Sequence, residues 1–386
     1  MSLKITRIDI HRTDLPVRGG VYRLSGGREY HSYDATIVSI ETDTGLTGWG
    51  ESTPFGSTYI AAHAGGTRAA LELLAPAILG MDPRQHDRIW DRMRDTLKGH
   101  RDARAALDIA CWDIAAQAAG LPLCDMTGGR VAGPVPVISS IGGDTPEAMR
   151  AKVARHRAQG FKGHSIKIGA SEAEGGPALD AERITACLAD RQPGEWYLAD
   201  ANNGLTVEHA LRMLSLLPPG LDIVLEAPCA SWAETKSLRA RCALPLLLDE
   251  LIQTETDLIA AIRDDLCDGV GLKVSKQGGI TPMLRQRAIA AAAGMVMSVQ
   301  DTVGSQISFA AILHLAQSTP RHLLRCALDT RAMTTAELAE IDAPLRDGGA
   351  SAPSDPGLGL RVNRDALGTP VKTFGDPIEG HHHHHH

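Results

Sequence analysis

Short apolar runs, each followed by a helix-length segment, recur through the second half of the chain. Strand-like runs fall near 135–141, 163–168, 196–200, 222–226, 245–249, 269–273, 295–299 and 323–328. Such short, continuous apolar runs are the pattern of parallel strands covered on both faces. Five of them end in Lys167, Asp200, Glu226, Asp249 and Lys273, which lie 23 to 33 residues apart, the repeat of a parallel βα unit. Eight runs over about 190 residues predict a closed parallel α/β barrel. A doubly wound sheet would carry a Gly-rich phosphate turn after its first strand, and Gly142-Gly143 does not make one.

The first part reads as α+β. Ile5 to His11 alternate weakly, Ala35 to Thr42 form a strand pattern, and Asp43-Thr44-Gly45 turns the chain into a return over Leu46 to Trp49. Helical runs follow from about 61 to 79 and 83 to 97. From Asp102 to Ala119 the residues Ala106, Ile109, Ala110, Asp113 and Ala116 lie on neighbouring turns, and Gly120 with Pro122 stops the helix. Gly128-Gly129 and the pair Pro134/Pro136 mark a boundary. An α+β domain over 1–130 and a barrel over 131–344 are therefore expected. After about Arg346 the chain is rich in Gly, Pro, Asp and Ser, and 345–380 is expected to return over the first domain.

Composition removes several function classes. Hydrophobic residues make up 43% and charged residues 22% of 386 residues, ordinary for a globular chain. A formal charge of −7 without any Lys/Arg-rich run argues against a nucleic-acid partner. No apolar stretch approaches the roughly 20 residues that span a bilayer, so no membrane partner is expected. Lys4, Arg7, Asp9 and His11 interrupt the apolar positions of the N-terminus, which does not read as a signal peptide, and a cytoplasmic location is expected. Seven cysteines, an odd number without a CxxC pair, read as buried free thiols in a reducing compartment. His381 to His386 look like a purification tag, and the remaining histidines show no HxH or HExxH pattern.

The strand-end charges carry the chemistry. Residues ending different strands of a parallel barrel converge on one rim. Asp200, Glu226 and Asp249 offer hard oxygen ligands without histidine or cysteine, a set suited to Mg2+, with Mn2+ as the alternative. Glu250 is the other candidate for the third ligand; Asp249 is preferred because it directly ends Leu246-Leu247-Leu248, leaving Glu250 in support. Asn202, two residues after Asp200, is placed to orient a ligand or a water. Lys167 ends the second strand and Lys273 the sixth, so they stand across the mouth from one another with the carboxylates between. A lysine near a divalent cation and a second lysine should have its pKa lowered, making a neutral amine available as a base. Loss of an α-proton from a metal-bound carboxylate gives an enediolate, whose charge the cation stabilises. Lys276, three residues after Lys273, reads as structural or as a support behind the site.

The set SIKIG, LADAN, LEAP, LLDE and LKVSKQGGIT, with the upstream LDIACWDIAAQAAGLPLCDMTGG, resembles the enolase superfamily, and within it the muconate lactonizing enzyme subgroup. The likeness covers nearly the whole chain. It implies an N-terminal α+β capping domain over a modified (β/α)7β TIM-type barrel, magnesium held by Asp200, Glu226 and Asp249, and acid/base lysines at 167 and 273. It also implies a small-molecule substrate and a homo-oligomer. A His-Asp dyad of the mandelate racemase type is not seen. The family's second strand often ends Lys-x-Lys; here the first of those positions is Ser165, so the base is kept while the neighbouring charge is missing.

Specificity in such an architecture comes from the capping loops and the last strand ends. The segment Thr53 to Tyr59 resembles that of subgroup members acting on proline derivatives, namely cis-3-hydroxy-L-proline dehydratases and hydroxyproline-betaine 2-epimerases. Phe55, Tyr59 and Tyr22 are candidates to stack on a substrate ring, and Asp301 and Asp329 to receive its amine, the competing role for both acids being helix N-capping. A betaine nitrogen has no N–H and favours an aromatic cage, whereas a secondary ammonium donates to a carboxylate. With aromatic content at 4%, a free cyclic amino acid and dehydration are expected, with betaine epimerisation as the alternative. A dipeptide epimerase, a cycloisomerase or a non-catalytic metal-binding relative are further alternatives.

Overall fold

The structure, a computed structural model, describes residues 2–24 and 28–376; the tag at 381–386 and positions 377–380 lie outside the described residues. Strands β1 (Ile5–Pro16), β2 (Ser32–Thr42) and β3 (Thr47–Ser52) form an antiparallel sheet. Lys372–Gly375 adds a fourth strand on the outer edge of β1, with Arg7 opposite Gly375. The segment that leaves the barrel thus returns to pair with β1.

Helices α1 (Ala64–Ile78), α2 (His86–Thr96) and α3 (Arg101–Ala119) cover this sheet. From Asp102 to Ala116 every residue of α3 is buried, because the helix is sandwiched between the sheet and the barrel. Its approach to β3 is close enough to require glycine. A Cβ on Gly50 would lie 1.8 Å from the Ala106 carbonyl oxygen, and one on Gly48 2.1 Å from that of Ala110. Two buried acids on the same helix bind outward. Asp113 accepts the N–H of Trp49 and of Leu358, each within 3.0 Å, while Asp108 accepts the N–H and hydroxyl of Thr281 in the barrel.

The second sheet has eight parallel strands in sequential order: β4 (Ile138–Ile141), β5 (Gly163–Lys167), β6 (Trp196–Asp200), β7 (Val224–Glu226), β8 (Leu246–Leu248), β9 (Gly269–Lys273), β10 (Val296–Gln300) and β11 (Leu324–Ala327). A parallel bridge between Val137 and Ala327 joins the first strand to the last. A principal helix lies in each of the seven crossovers, and among the described residues none of that length follows β11, which is the (β/α)7β arrangement. The expected runs and the observed strands agree within a few residues. Among the described residues no helix is long and apolar enough to cross a membrane. All seven cysteines are free, and six of them are buried.

Candidate active site

Parallel register brings the strand-end charges together. Lys167 is paired with Asp200 across β5 and β6, and Asp200 with Glu226 across β6 and β7. Asp249 follows β8 directly, and Lys273 ends β9. All five line one cavity of about 470 Å³ beneath the antiparallel domain. Of the other residues singled out in the sequence, Tyr22, Phe55, Tyr59, Ser165, Asn202, Asp301 and Asp329 line it too; Glu250 does not.

The carboxylates are crowded and differently engaged. Lys167 Nζ donates to Asp200 Oδ2 at 2.6 Å, and the Asn202 N–H donates to Asp200 Oδ1 at 2.9 Å. Asp249 Oδ2 lies 2.8 Å from Lys273 Nζ, and its Oδ1 accepts from Lys276 Nζ at 2.7 Å. Lys276 also donates to the carbonyls of Asp249 and Gly271, so this fully buried ammonium clamps the tip of β8. Burial works against the Asp249 charge, but Lys273 and Lys276 outweigh it and hold its pKa far below the carboxylate range. Glu226 is the opposite case. Burial, then Asp200, then Asp249 push its pKa well up, and among the described residues no group hydrogen-bonds to its carboxylate.

Among the described residues no three His, Cys, Asp or Glu side chains form a ready-made metal cage, and lysine ammonium groups hold oxygens of Asp200 and Asp249. The donor chemistry nevertheless fits a hard divalent cation. Three carboxylates at successive strand tips repel one another, and the partnerless one between them gains most from positive charge.

The protein's own groups push both lysine pKa values upward. Burial alone would lower both, yet Asp200 raises Lys167 and Asp249 with Glu250 raises Lys273 above the ordinary value. The carboxylates contact the amines directly, Asp200 at 2.6 Å from Lys167 and Asp249 at 2.8 Å from Lys273, so attraction outweighs desolvation.

The antiparallel domain supplies the roof. Glu51, wholly buried at the end of β3, accepts the Ser305 N–H and hydroxyl, the Ser308 N–H and the Thr53 hydroxyl, which pins the segment after β3 to the helix Gln306–Gln317. That segment carries Phe55 and Tyr59 downward. The Tyr59 hydroxyl donates to Asp249 Oδ2 at 2.9 Å and lies 3.4 Å from Glu250 Oε1, while Lys273 Nζ donates to Tyr59 and sits 4.4 Å from its ring centroid. Phe55 touches Tyr22 edge-on at 5.3 Å and Tyr59 at 5.6 Å, with Tyr30 and Tyr33 packed behind it. Five of the chain's 14 Phe, Trp and Tyr residues thus form one cluster, and Tyr22, Phe55 and Tyr59 of it line the cavity.

The two late acids are already partnered. Asp301 accepts from Ser275 and from the Thr302 N–H, and burial raises its pKa to about 6. Asp329 caps the short helix Thr330–Ala332 and pairs with Arg331 at 2.9 Å, so it both caps and faces the cavity. Sequence reasoning gave Lys276 a structural or supporting role without finding its partner Asp249, and missed the anchor made by Glu51 and the lining by Gln300. A second lysine three residues past a strand-end lysine was the available signal for the Lys276 clamp.

Residues 27–128 match the mandelate racemase / muconate lactonizing enzyme N-terminal domain, and residues 148–366 match the enolase C-terminal domain-like family. The chain belongs to the mandelate racemase/muconate lactonizing enzyme group of the enolase superfamily and is an enzyme of that type. A cis-3-hydroxy-L-proline dehydratase from Roseibium aggregatum is 38% identical over 373 residues, 96% of this chain and 100% of that protein. An N-succinyl-L-Arg/Lys racemase from Bacillus cereus is 28% identical over 370 residues, 95% of this chain and 97% of that one. A crystal structure from Roseovarius nubinhibens ISM, of a mandelate racemase/muconate lactonizing enzyme type protein complexed with magnesium, is 97% identical, covers 97% of this chain and 100% of its own, and has a TM-score of 0.93.

Proposed function

We infer that the protein removes the α-proton of a carboxylate substrate with magnesium bound, and that its reaction is the dehydration of cis-3-hydroxy-L-proline. The observation that carries the chemistry is the pair Lys167 and Lys273, on the second and sixth strands of eight and lining one cavity with three carboxylates between them. The relative from Roseibium aggregatum, matched over its full length, supports the substrate, and the magnesium complex of the Roseovarius nubinhibens protein supports the ion. Asp200, Glu226 and Asp249 would hold magnesium, which supplies Lewis-acid stabilisation of the substrate carboxylate as charge builds on it.

In cis-3-hydroxy-L-proline the α-hydrogen and the hydroxyl lie on opposite ring faces. One lysine, neutral, takes the α-proton; the electron pair of that C–H bond becomes the ring double bond as the C–O bond breaks. The opposing lysine, protonated, gives its proton to the departing hydroxyl, which leaves as water. Asp301 or Asp329 would receive the ring ammonium. Tyr59 holds Lys273 against the roof, and the aromatic cluster excludes water from the ring.

A second reading is supported by the aromatic concentration itself. Tyr22, Phe55 and Tyr59 would suit a quaternary nitrogen, and an opposing lysine that returns a proton to carbon would make the enzyme a betaine 2-epimerase. Incubating the magnesium-loaded protein with cis-3-hydroxy-L-proline and, separately, with hydroxyproline betaine tests the choice. The expected product is the cyclic enamine and its imine tautomer from the first. Inversion of the betaine, with no turnover of the hydroxyproline, would overturn dehydration in favour of epimerisation.

A further inference from the structure

The turn that follows Lys167 is held by a buried carboxylate outside the cavity. Asp180, on the helix Gly176–Leu188 that follows β5, is 0% exposed. Its Oδ1 accepts the N–H of Gly169 at 3.0 Å and of Ala170 at 3.1 Å. Its Oδ2 accepts Nε2–H of His209 at 2.7 Å, from the helix Val207–Leu216 that follows β6. Gly169 has φ +115°, a conformation that glycine adopts freely, so the chain turns sharply two residues past the lysine. One carboxylate therefore ties the turn beyond Lys167 to the helix beyond Asp200. The tips of those same strands make the Lys167–Asp200 contact at 2.6 Å, and the Ile168 N–H donates to the Asp200 carbonyl. A buried charge with three donors is costly to disturb, which gives the turn a single geometry.

We propose that Asp180, backed by His209, is a positioning residue for Lys167, fixing the reach of its Nζ and hence proton transfer on one substrate face. The inference rests on the two-lysine reading and deepens it. Neither Asp180 nor His209 lines the cavity, so neither touches substrate. Lys273 depends on separate contacts: its N–H donates to Gln277 Oε1, and its ammonium to Tyr59 and Asp249. Disturbing Asp180 should thus reach one face and spare the other.

The test follows α-deuterium incorporation from D2O into L- and D-proline betaine, measured separately with magnesium-loaded enzyme. Lys167→Ala identifies the enantiomer that Lys167 serves. Asp180→Ala is expected to slow exchange of that enantiomer about 10–100-fold while leaving the other within about twofold, the range for partners that orient a working group. His209→Ala should act on the same enantiomer by roughly 3–10-fold, since it supplies one of the three donors to Asp180; it carries the test if Asp180→Ala does not fold. Equal losses on both enantiomers, or no loss on the Lys167 one, overturn the proposal. Should the wild type exchange neither enantiomer, the two-lysine reading fails for these ligands, and a crystal structure of the variant decides the positioning claim. Displacement of Lys167 Nζ from Asp200 by about 1 Å or more, a shift that costs on the order of 10²-fold in rate, supports it, and an unchanged contact overturns it.

Discussion

The phenolic oxygen of Tyr59 lies 2.9 Å from Oδ2 of Asp249, so a residue of the antiparallel domain reaches a carboxylate at the tip of a barrel strand. The same hydroxyl accepts from Lys273, which also pairs with Asp249. Burial, reinforced by Asp249, pushes the phenol pKa well up, so Tyr59 acts as a neutral donor to the carboxylate. Tyr59→Phe keeps the ring over Lys273 and removes only the oxygen. Turnover is expected to fall about 10–100-fold, the range for partners that orient working groups. Full activity in steady-state kinetics would show that the hydroxyl does not set the lysine's position.

Glu226→Gln should separate stability from function. The carboxylate is disfavoured by burial and by Asp200 and Asp249, so a neutral amide relieves repulsion in the metal-free protein. The metal-free melting temperature should rise by a few degrees, while the magnesium-induced increase expected of the wild type should largely vanish. Differential scanning fluorimetry with chelator and with magnesium reads both. A variant that keeps the magnesium shift would remove Glu226 from the ligand set.

The barrel and its charged rim were legible because a buried parallel strand must be apolar on both faces, so a charge at its end stands out. Lys167, Asp200, Glu226 and Lys273 each close a run of three to five strand residues. Lys276 looked structural because its grip on Asp249 depends on the four-residue helix Val274–Gln277 turning it back over β8, a tertiary fact. Phe55, Tyr59 and Tyr22 stood out as able to stack on a ring, but a cage for a quaternary nitrogen was discounted because overall aromatic content is low; composition averages over the chain and is blind to where β3 and its following segment deliver Phe55 and Tyr59. Asp180 and His209 were invisible for the same reason, lying on separate helices 29 residues apart.

Gly50→Ala should damage the protein without touching the cavity. Its Cβ would stand 1.8 Å from the Ala106 carbonyl oxygen, and both elements are backbone, so neither can rotate away. Destabilisation is expected at or beyond the upper end of the ~1–3 kcal/mol typical of overpacked cores. Thermal melting checks this, and a loss under about 1 kcal/mol would mean that α3 moves freely off the sheet.

Asp108 makes stability depend on pH in a defined direction. Burial pushes its pKa up to about 6 against an ordinary 3.8, despite the hydrogen bonds from Thr281. The folded state therefore holds this proton more tightly than the unfolded chain. Its contribution is fully present below the unfolded value near 4 and is lost as pH rises through about 6. Asp108→Asn stays neutral throughout, so its advantage over the wild type should grow from near zero at pH 4 to roughly 3 kcal/mol above pH 7, the equivalent of the shift. Unfolding of both proteins across that range measures it; a constant difference between them would show that Asp108 is already ionised in the folded protein at pH 4.

Phe55 decides between the two substrate readings more sharply than either lysine does. The lysines serve both reactions, whereas an aromatic ring such as Phe55, packed against Tyr22 and Tyr59, favours a quaternary nitrogen over a secondary ammonium. A quaternary nitrogen draws its binding energy from aromatic faces, by about 0.5–2 kcal/mol for each ring it contacts. A secondary ammonium draws most of it from a carboxylate such as Asp301 or Asp329, which line the same cavity. Phe55→Leu should therefore raise KM for the betaine about 3–30-fold, that energy expressed as affinity, with a much smaller change for cis-3-hydroxy-L-proline. Asp301→Asn and Asp329→Asn should show the reverse order. If Phe55→Leu weakens both ligands equally, the ring acts only as a hydrophobic wall, and the aromatic roof loses its bearing on which nitrogen the enzyme prefers.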